Sequence, residues 1–117
     1  MTAEIAIRLR RAEFNRAIAA ADIAAISAIL SQNAILITGT DSAVISGRKA
    51  QVLVWKREFS AAPRTVYTRT PDLITPSGVE PVAMEHGHWL GVSGSEPTTG
   101  IGHLRGKMAR IARNMAA

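Results

Sequence analysis

The order of the elements predicts an α+β domain, in which helices come first along the chain and an antiparallel sheet follows. Two amphipathic stretches fill residues 4–30, where apolar side chains recur at helical spacing. Residues 64–92 are instead rich in β-branched residues and alternate in polarity, as strands with one buried face do. The 117 residues contain no internal repeat and no low-complexity segment, so we expect one domain over residues 1–117.

Composition and charge narrow the functional class. The chain has no cysteine, which excludes disulfides, thiol catalysis and thiolate metal sites. It has no run of about 18 uncharged apolar residues and no secretory signal, so we expect a cytoplasmic protein that does not cross a membrane. The net charge of +5 favours an anionic partner. The basic residues are scattered, however, and no aromatic residues interleave with them, which argues against nucleic-acid binding.

The first two elements are predicted to be helices. An apolar stripe defines the buried face of a helix over residues 4–20, with the arginines on its other faces; the stripe consists of Ile7, Phe14, Ile18 and Ala21. Asp22 is a good N-cap residue because its carboxylate accepts from free backbone N–H groups. It therefore predicts a second helix, which ends at residues 31–33.

A hairpin and a third helix are predicted next. Residues 34–46 contain two β-branched runs that flank a turn-forming stretch, which is typical of a hairpin. The third helix is expected to begin at Ser46 or Gly47 and to end before Pro63. Its apolar stripe consists of Val52, Trp55 and Phe59.

Strands are predicted to fill most of the second half. Residues 64–70 and 72–75 form two short runs, separated by Pro71 and followed by Pro76. A long strand is expected over residues 82–92, where small and large side chains alternate.

The end of the chain supports two interpretations. Residues 107–116 fit a helix, because one apolar stripe passes through Leu104, Met108, Ile111 and Met115. Residues 99–111 fit a strand, in which basic and apolar or small residues alternate between the two faces. The layered architecture favours the strand, and we expect a strand there.

Several segments together resemble a known superfamily. They are AIAAADIAAISAILSQNAILITG, the turn into ISGRKAQVLVW, and AMEHGHWLGV. Over residues 4–93 they resemble SnoaL-like and ketosteroid-isomerase-like proteins of the nuclear transport factor 2-like superfamily. The resemblance implies a cone, with three helices packed on a strongly curved antiparallel sheet around an apolar pocket, and a homodimer through the outer sheet face. It also implies one more strand beyond the last residues given, so we expect a cone that is either incomplete or closed by a partner subunit or a helix.

The resemblance does not carry over the catalytic groups of the isomerase. Phe14 takes the position of the tyrosine that stabilises the oxyanion, and phenylalanine has no hydroxyl. Thr38 takes the position of the general-base aspartate, and a threonine hydroxyl is no base near neutral pH. We therefore expect no ketosteroid isomerase activity. The first hypothesis is instead a small-molecule pocket protein, which is either an enzyme of the isomerase, cyclase or hydratase type or a binder without catalysis.

The long strand supplies the candidate site. Its alternation places one set of residues on the face that the resemblance assigns to the concave side, namely Ala83, Glu85, Gly87, Trp89 and Gly91. The small residues are expected to leave room for a ligand, with Trp89 lining the pocket and Glu85 as the candidate acid–base residue. The alternatives are core packing of Trp89, and an ion pair of Glu85 with an arginine such as Arg64 or Arg69.

Further ligand contacts are expected from the helices and from two strands. The residues assigned to the pocket beside Trp89 are Phe14, Ile18, Thr38, Trp55, Phe59 and Tyr67. Core packing is the alternative for the apolar helix residues, and it is compatible with a pocket that the helices line with the same stripes. The expected partner is a small apolar molecule. The competing hypothesis is a homodimeric interaction module with a filled cone.

Histidines mark the other face of the long strand. His86 and His88 lie two residues apart there, and His103 follows on a later strand. Imidazoles on one strand face can converge on a metal, but no carboxylate motif or further ligand at a recognised spacing supports such a site. We predict neither a metal nor a cofactor, and place these histidines on an exposed or dimer-facing surface.

Overall fold

The computed structural model describes residues 2–38, residues 42–93 and the backbone of residues 103–113. Within them the chain forms three helices and five strands, one strand fewer than predicted because two predicted runs are joined, and the α+β architecture is confirmed. The elements are α1 (Ala3–Ala20), α2 (Ile23–Ile29), β1 (Ile35–Ile37), β2 (Val44–Ser46), α3 (Arg48–Ser60), β3 (Thr65–Pro76), β4 (Val82–Ser93) and β5 (His103–Arg113).

Side-chain caps hold the turn between α1 and α2. Asp22 Oδ1 accepts a hydrogen bond from the Ala25 backbone N–H at 3.0 Å, which confirms Asp22 as the N-cap of α2. At the end of α1, Arg64 donates to the carbonyl oxygens of Ile18 and Ala19, at 2.7 and 3.0 Å. A guanidinium in this position supplies a side-chain donor to carbonyls of the last helical turn, and the Ile18 carbonyl also accepts from the Ala21 backbone N–H at 3.1 Å. Among the described helices, none combines the length and apolar character needed to cross a membrane.

The strands form two antiparallel sheets. β1 and β2 pair with each other as the predicted hairpin, while β3, β4 and β5 form a three-stranded sheet in that order. β5 confirms the strand interpretation over residues 103–111, and the helical alternative is wrong for 107–113. Residues 99–102 and 114–116, which the two interpretations also included, lie outside the described residues.

β3 differs from the prediction of two short runs, because it is one strand that continues through Pro71. It pairs with β4 along its whole length, and its register shifts between Pro71 and Leu73. Proline has no N–H to donate to a ladder, so a bulge at this position lets the strand continue past it.

The core lies between the helices and the three-stranded sheet. Its larger cluster joins α1, α2 and α3 through Phe14, Ala17, Ile18, Ile26, Leu30 and Trp55. A smaller cluster of Ile7, Ile74 and Ala83 connects the start of α1 to β3 and β4. Burying a side chain the size of isoleucine stabilises the fold by about 1.5–3 kcal/mol. α1 is therefore held against the sheet at both of its ends.

Candidate functional site

The inner face of β4 carries the residues that the sequence predicted for it. Ala83, Glu85, Gly87 and Gly91 are buried, whereas the alternate positions His86 and His88 are exposed. Trp89 shares the inner face but is only half-buried. The predicted direction of the strand's two faces is thus confirmed.

Glu85 forms a buried ion pair with Arg11 of α1. Arg11 Nη2 donates to Glu85 Oε1 at 2.7 Å, and Arg11 Nε donates to Oε2 at 3.1 Å. The two residues are 1% and 7% exposed. The ion-pair alternative for Glu85 is therefore realised, but its partner is Arg11 and not Arg64 or Arg69.

The position of Arg11 corrects the prediction that the arginines take the other faces of the first helix. Arg11 lies four residues after Ile7 and three before Phe14, which is the spacing of one helical stripe. A charged residue inside an apolar stripe signals a buried partner, because an unpaired buried charge is very costly. That spacing could have identified Arg11 and Glu85 as partners, since Glu85 is the only acid predicted on the inner face of β4.

The two inner glycines of β4 do not provide ligand space. A Cβ atom on Gly87 would lie 2.2 Å from the Thr70 carbonyl oxygen, next to the bulge of β3. A Cβ on Gly91 would lie 2.9 Å from Cε1 of the Tyr67 ring. The expectation that these small residues leave room for a ligand is therefore wrong, because β3 already fills both places.

Aromatic side chains from α1, α3, β3 and β4 gather at the other end of the inner face. We call the group formed by Phe14, Trp55, Phe59, Tyr67 and Trp89 the aromatic cluster. Trp55 packs against Phe14 and Phe59, with ring centroids 6.0 and 5.7 Å apart. Tyr67 packs edge-on against Trp89, with centroids 6.0 Å apart. Phe14 and Trp55 are buried, whereas the other three rings are half-buried.

Six of the seven residues assigned to the pocket thus lie in or next to the aromatic cluster, since the buried Ile18 belongs to the same core. Thr38 is in the hairpin turn. Its hydroxyl accepts from the Ala43 N–H, and its own N–H donates to the Ala43 carbonyl, both at 3.0 Å. These bonds give Thr38 a role in holding the turn, and ligand contact by Thr38 stays a prediction.

Guanidinium groups surround the aromatic cluster. The Arg69 guanidinium carbon lies 5.4 Å from the centroid of Phe14 and 5.8 Å from that of Trp55. Those of Arg11 and Arg64 lie 5.5 Å from Phe14 and Phe59, respectively. Such cation–π contacts stabilise each ring by about 0.5–2 kcal/mol. They also place positive charge around an otherwise apolar group.

Asn15 attaches α1 to the strand that carries Arg69, and this role of Asn15 was not predicted from the sequence. Its amide donates to the Arg69 carbonyl at 2.8 Å and accepts from the Arg69 N–H at 3.0 Å. Asn15 lies four residues after Arg11 and next to Phe14 on α1. A lone asparagine in a helix gives no specific signal for a partner far along the chain, so the sequence could not have assigned this contact.

Two polar groups of the aromatic cluster are affected by burial. Trp55 is 5% exposed, and its indole Nε1 has no hydrogen-bond partner in the described part of the chain. Burial raises the pKa of the Tyr67 hydroxyl above its ordinary value of 10.0. The negative charge of Glu58 also raises that pKa, and the positive charge of Arg69 opposes the rise.

The family model of the SnoaL-like domain matches residues 7–90, which is most of the chain. The chain belongs to the SnoaL-like family. The resemblance predicted over residues 4–93 is thereby confirmed for residues 7–90. A search of the curated proteins found no match.

Solved structures share the fold of this SnoaL-like domain at low sequence identity. A conserved protein from Planctomyces limnophilus aligns with a TM-score of 0.77 and 16% identity, over 94% of this chain and 82% of its own. A ketosteroid isomerase-like protein from Erwinia carotovora atroseptica aligns with a TM-score of 0.72 and 15% identity, over 96% of this chain and 84% of its own. An LEH-like epoxide hydrolase from M. tuberculosis aligns with a TM-score of 0.63 and 11% identity, over 91% of this chain and 67% of its own. These likenesses establish the fold.

A groove on the SnoaL-like domain lies apart from the predicted pocket. It encloses about 400 Å³ between α1 and α2 and is open to solvent. Its lining consists of Arg10, Glu13, Arg16, Ala17, Ala20, Asp22, Ala25, Ala28 and Ile29. Arg10 and Glu13 pair across 2.7 Å at its edge. None of the residues assigned to the ligand site lines this groove.

The outer face of the domain's three-stranded sheet carries His86 and His88. His88 Nδ1 lies 3.0 Å from Oδ2 of Asp72, and both side chains are more than half exposed. Within residues 2–38 and 42–93, no three metal-binding side chains come together. The side chain of His103 lies outside the described residues.

Proposed function

We propose that this SnoaL-like domain binds a small apolar molecule at the aromatic cluster, on the inner side of a strongly curved, cone-forming sheet in the cytoplasm. One observation carries the proposal. The inner-facing residues of β4 that the sequence assigned to the site are all buried except Trp89, which is half-buried. The partial exposure of Trp89 supports a ligand at this end of the inner face, because at Glu85 and Gly87 that face is occupied by other parts of the chain.

The aromatic cluster has the chemistry of an apolar site. Phe59, Tyr67 and Trp89 are each only half-buried. Covering apolar surface contributes about 25 cal/mol for each Å², and flat rings lose little conformational entropy when a ligand packs on them. Small-molecule sites are commonly lined in this way, by aromatic side chains with a few polar groups among them.

Chemistry by Glu85 is the finer part of the proposal, for a reaction of the isomerase, cyclase or hydratase type. Two structural neighbours are a ketosteroid isomerase-like protein and an LEH-like epoxide hydrolase, and isomerisation and the addition of water fall within that range of reactions. Each oxygen of Glu85 accepts one bond from Arg11 and keeps a further lone pair.

Single-tryptophan variants test the pocket. Trp55 and Trp89 are the only tryptophans, so Trp55→Phe leaves Trp89 as the sole indole emitter. We expect alicyclic and aromatic compounds, titrated one by one, to change its emission with saturation. His86→Ala, on the opposite face of β4, is the matched control and should bind equally well. If no compound of the panel changed the Trp89 emission with saturation, the proposed pocket would be excluded.

Glu85→Gln tests catalysis separately, on any compound that the first experiment identifies. The substitution keeps the size of the side chain but removes its ability to take up a proton. Turnover should be lost while binding at Trp89 persists. An unchanged rate would leave Glu85 as a structural residue only.

A non-catalytic homodimer is the second candidate function, and the outer sheet face favours it. Leu73 and Met84 are 57% and 39% exposed there, on neighbouring strands beside His86. Exposed apolar side chains that lie together often mark an interface. Sedimentation equilibrium of the wild type and of Leu73→Glu would test it: a dimer should dissociate in the variant, and a wild-type monomer would exclude this mode.

A further inference from the structure

The aromatic cluster contains one polar atom whose position calls for a partner. The indole N–H of Trp55 is buried and has no acceptor among the described residues. We propose that the ligand carries an acceptor oxygen, in a carbonyl or a carboxylate group, and that this oxygen binds the Trp55 N–H. The inference rests on the proposed function, since it specifies the ligand of the same site.

The energetic reason is the cost of an unsatisfied buried donor. Native proteins leave only a few such groups, because each one gives up its bonds to water without replacement. The aromatic neighbours of Trp55 are Phe14 and Phe59, whose rings have no acceptor oxygen. A phenylalanine at position 55 would fill an apolar core without this cost. An indole there is explained by an acceptor that arrives with the ligand.

The charges around the aromatic cluster favour the same ligand chemistry. Arg11, Arg64 and Arg69 each place a guanidinium over one or two of its rings. Glu85 neutralises Arg11, and Glu58 lies close enough to act on the Tyr67 hydroxyl. Positive groups from three arginines thus lie beside the rings of the cluster. An oxygen with partial or full negative charge is stabilised in such surroundings, whereas a cationic ligand is not.

Three probes of similar shape separate the contribution of the oxygen from that of the apolar ring. They are isopropylcyclohexane, cyclohexyl methyl ketone and cyclohexanecarboxylate. The chain has two tryptophans and so gives two indole N–H resonances in a proton–nitrogen NMR spectrum. Trp89→Phe assigns them. We expect the ketone or the carboxylate to move the Trp55 indole proton downfield, and the hydrocarbon to leave it nearly in place.

Affinity provides the second measurement. One hydrogen bond corresponds to about a fivefold change in the dissociation constant. We expect Trp55→Phe to weaken binding of the oxygenated probe by about that factor more than it weakens binding of isopropylcyclohexane, which loses only the apolar contact of the indole. Should this variant fail to fold, the NMR comparison on the wild type still decides.

The possible failures are distinguishable. Saturable binding of all three probes without a downfield shift of Trp55 would overturn this inference and leave the apolar pocket in place. Absence of binding by every probe, together with a negative fluorescence panel, would overturn the proposed function and the inference with it.

Discussion

Two neighbouring regions on the inner side of the sheet differ in how completely their polar groups are satisfied. In the first, which we call the ion-pair region, Arg11 and Glu85 satisfy each other and Gly87 is covered by the backbone of β3. In the aromatic cluster, three rings are half-buried and the Trp55 N–H has no partner in the described chain. The buried carboxylate and the partly exposed rings are thus in different places. A buried carboxylate alone is therefore a poor guide to where a ligand binds.

The largest effect is expected in the ion-pair region, from Arg11→Met. The variant leaves the Glu85 carboxylate buried without a cation, which costs about 3–5 kcal/mol in the free energy of unfolding. Urea denaturation should show this loss as a lower midpoint. Arg10→Met is the matched control, because Arg10 pairs with Glu13 over 2.7 Å but at the surface. It should cost less than about 1 kcal/mol.

A double variant separates a structural pair from a functional one. Arg11→Met combined with Glu85→Leu removes both charges and should regain most of the lost stability, since apolar side chains of similar size often replace a buried pair without loss. If Arg11→Met alone were as stable as the wild type, the ion-pair region would not be the closed contact described above.

Gly87→Ala should produce the next largest effect. The new Cβ would lie 2.2 Å from a backbone oxygen, which cannot move without disturbing the pairing of β3 with β4. We expect a loss of about 3 kcal/mol, at the upper end of the usual cost of overpacking. Gly78→Ala is the control, because nothing lies within 4 Å of the Cβ that it adds. A tolerated Gly87→Ala would mean that this part of the inner face has free space for a ligand.

The same contrast shows what the sequence could and could not predict. Periodicity identified the helices, the hairpin and the two faces of β4, because each is a local pattern of 2 or 3.6 residues. Periodicity also identified the helical members of the aromatic cluster, since Phe14, Trp55 and Phe59 lie on the apolar stripes of their helices. It did not predict that Thr70 approaches Gly87, because that contact depends on a bulge at Pro71. Contacts between distant segments depend on register, and register is not a local property.

Asn15→Ala should have a smaller effect, at the border between the two regions. The variant removes the two hydrogen bonds that attach α1 to the backbone of Arg69. At about 1 kcal/mol for each bond, we expect a loss of about 2 kcal/mol in unfolding free energy. Asn33→Ala, at an exposed position before β1, should change little. Equal stability of both variants would show that the helix does not hold Arg69 in place.

The smallest effect is a pH dependence from Tyr67, the one tyrosine of the chain. Burial raises its pKa in the folded state above 10.0, so the unfolded chain releases the phenolic proton first. The Tyr67 contribution to stability is therefore constant below about pH 10 and falls as the pH rises through the folded-state pKa. Tyrosinate absorbance reports this residue alone. The pH midpoint of its titration in the folded protein should lie above the midpoint measured for the chain unfolded in urea. A ligand on the aromatic cluster should raise the midpoint further, because it removes more water from the hydroxyl.

Arg11→Met tests the separation of the two regions at moderate pH, where a folded variant should retain ligand binding at Trp89. If binding were lost with Arg11, the ion-pair region and the aromatic cluster would form a single site.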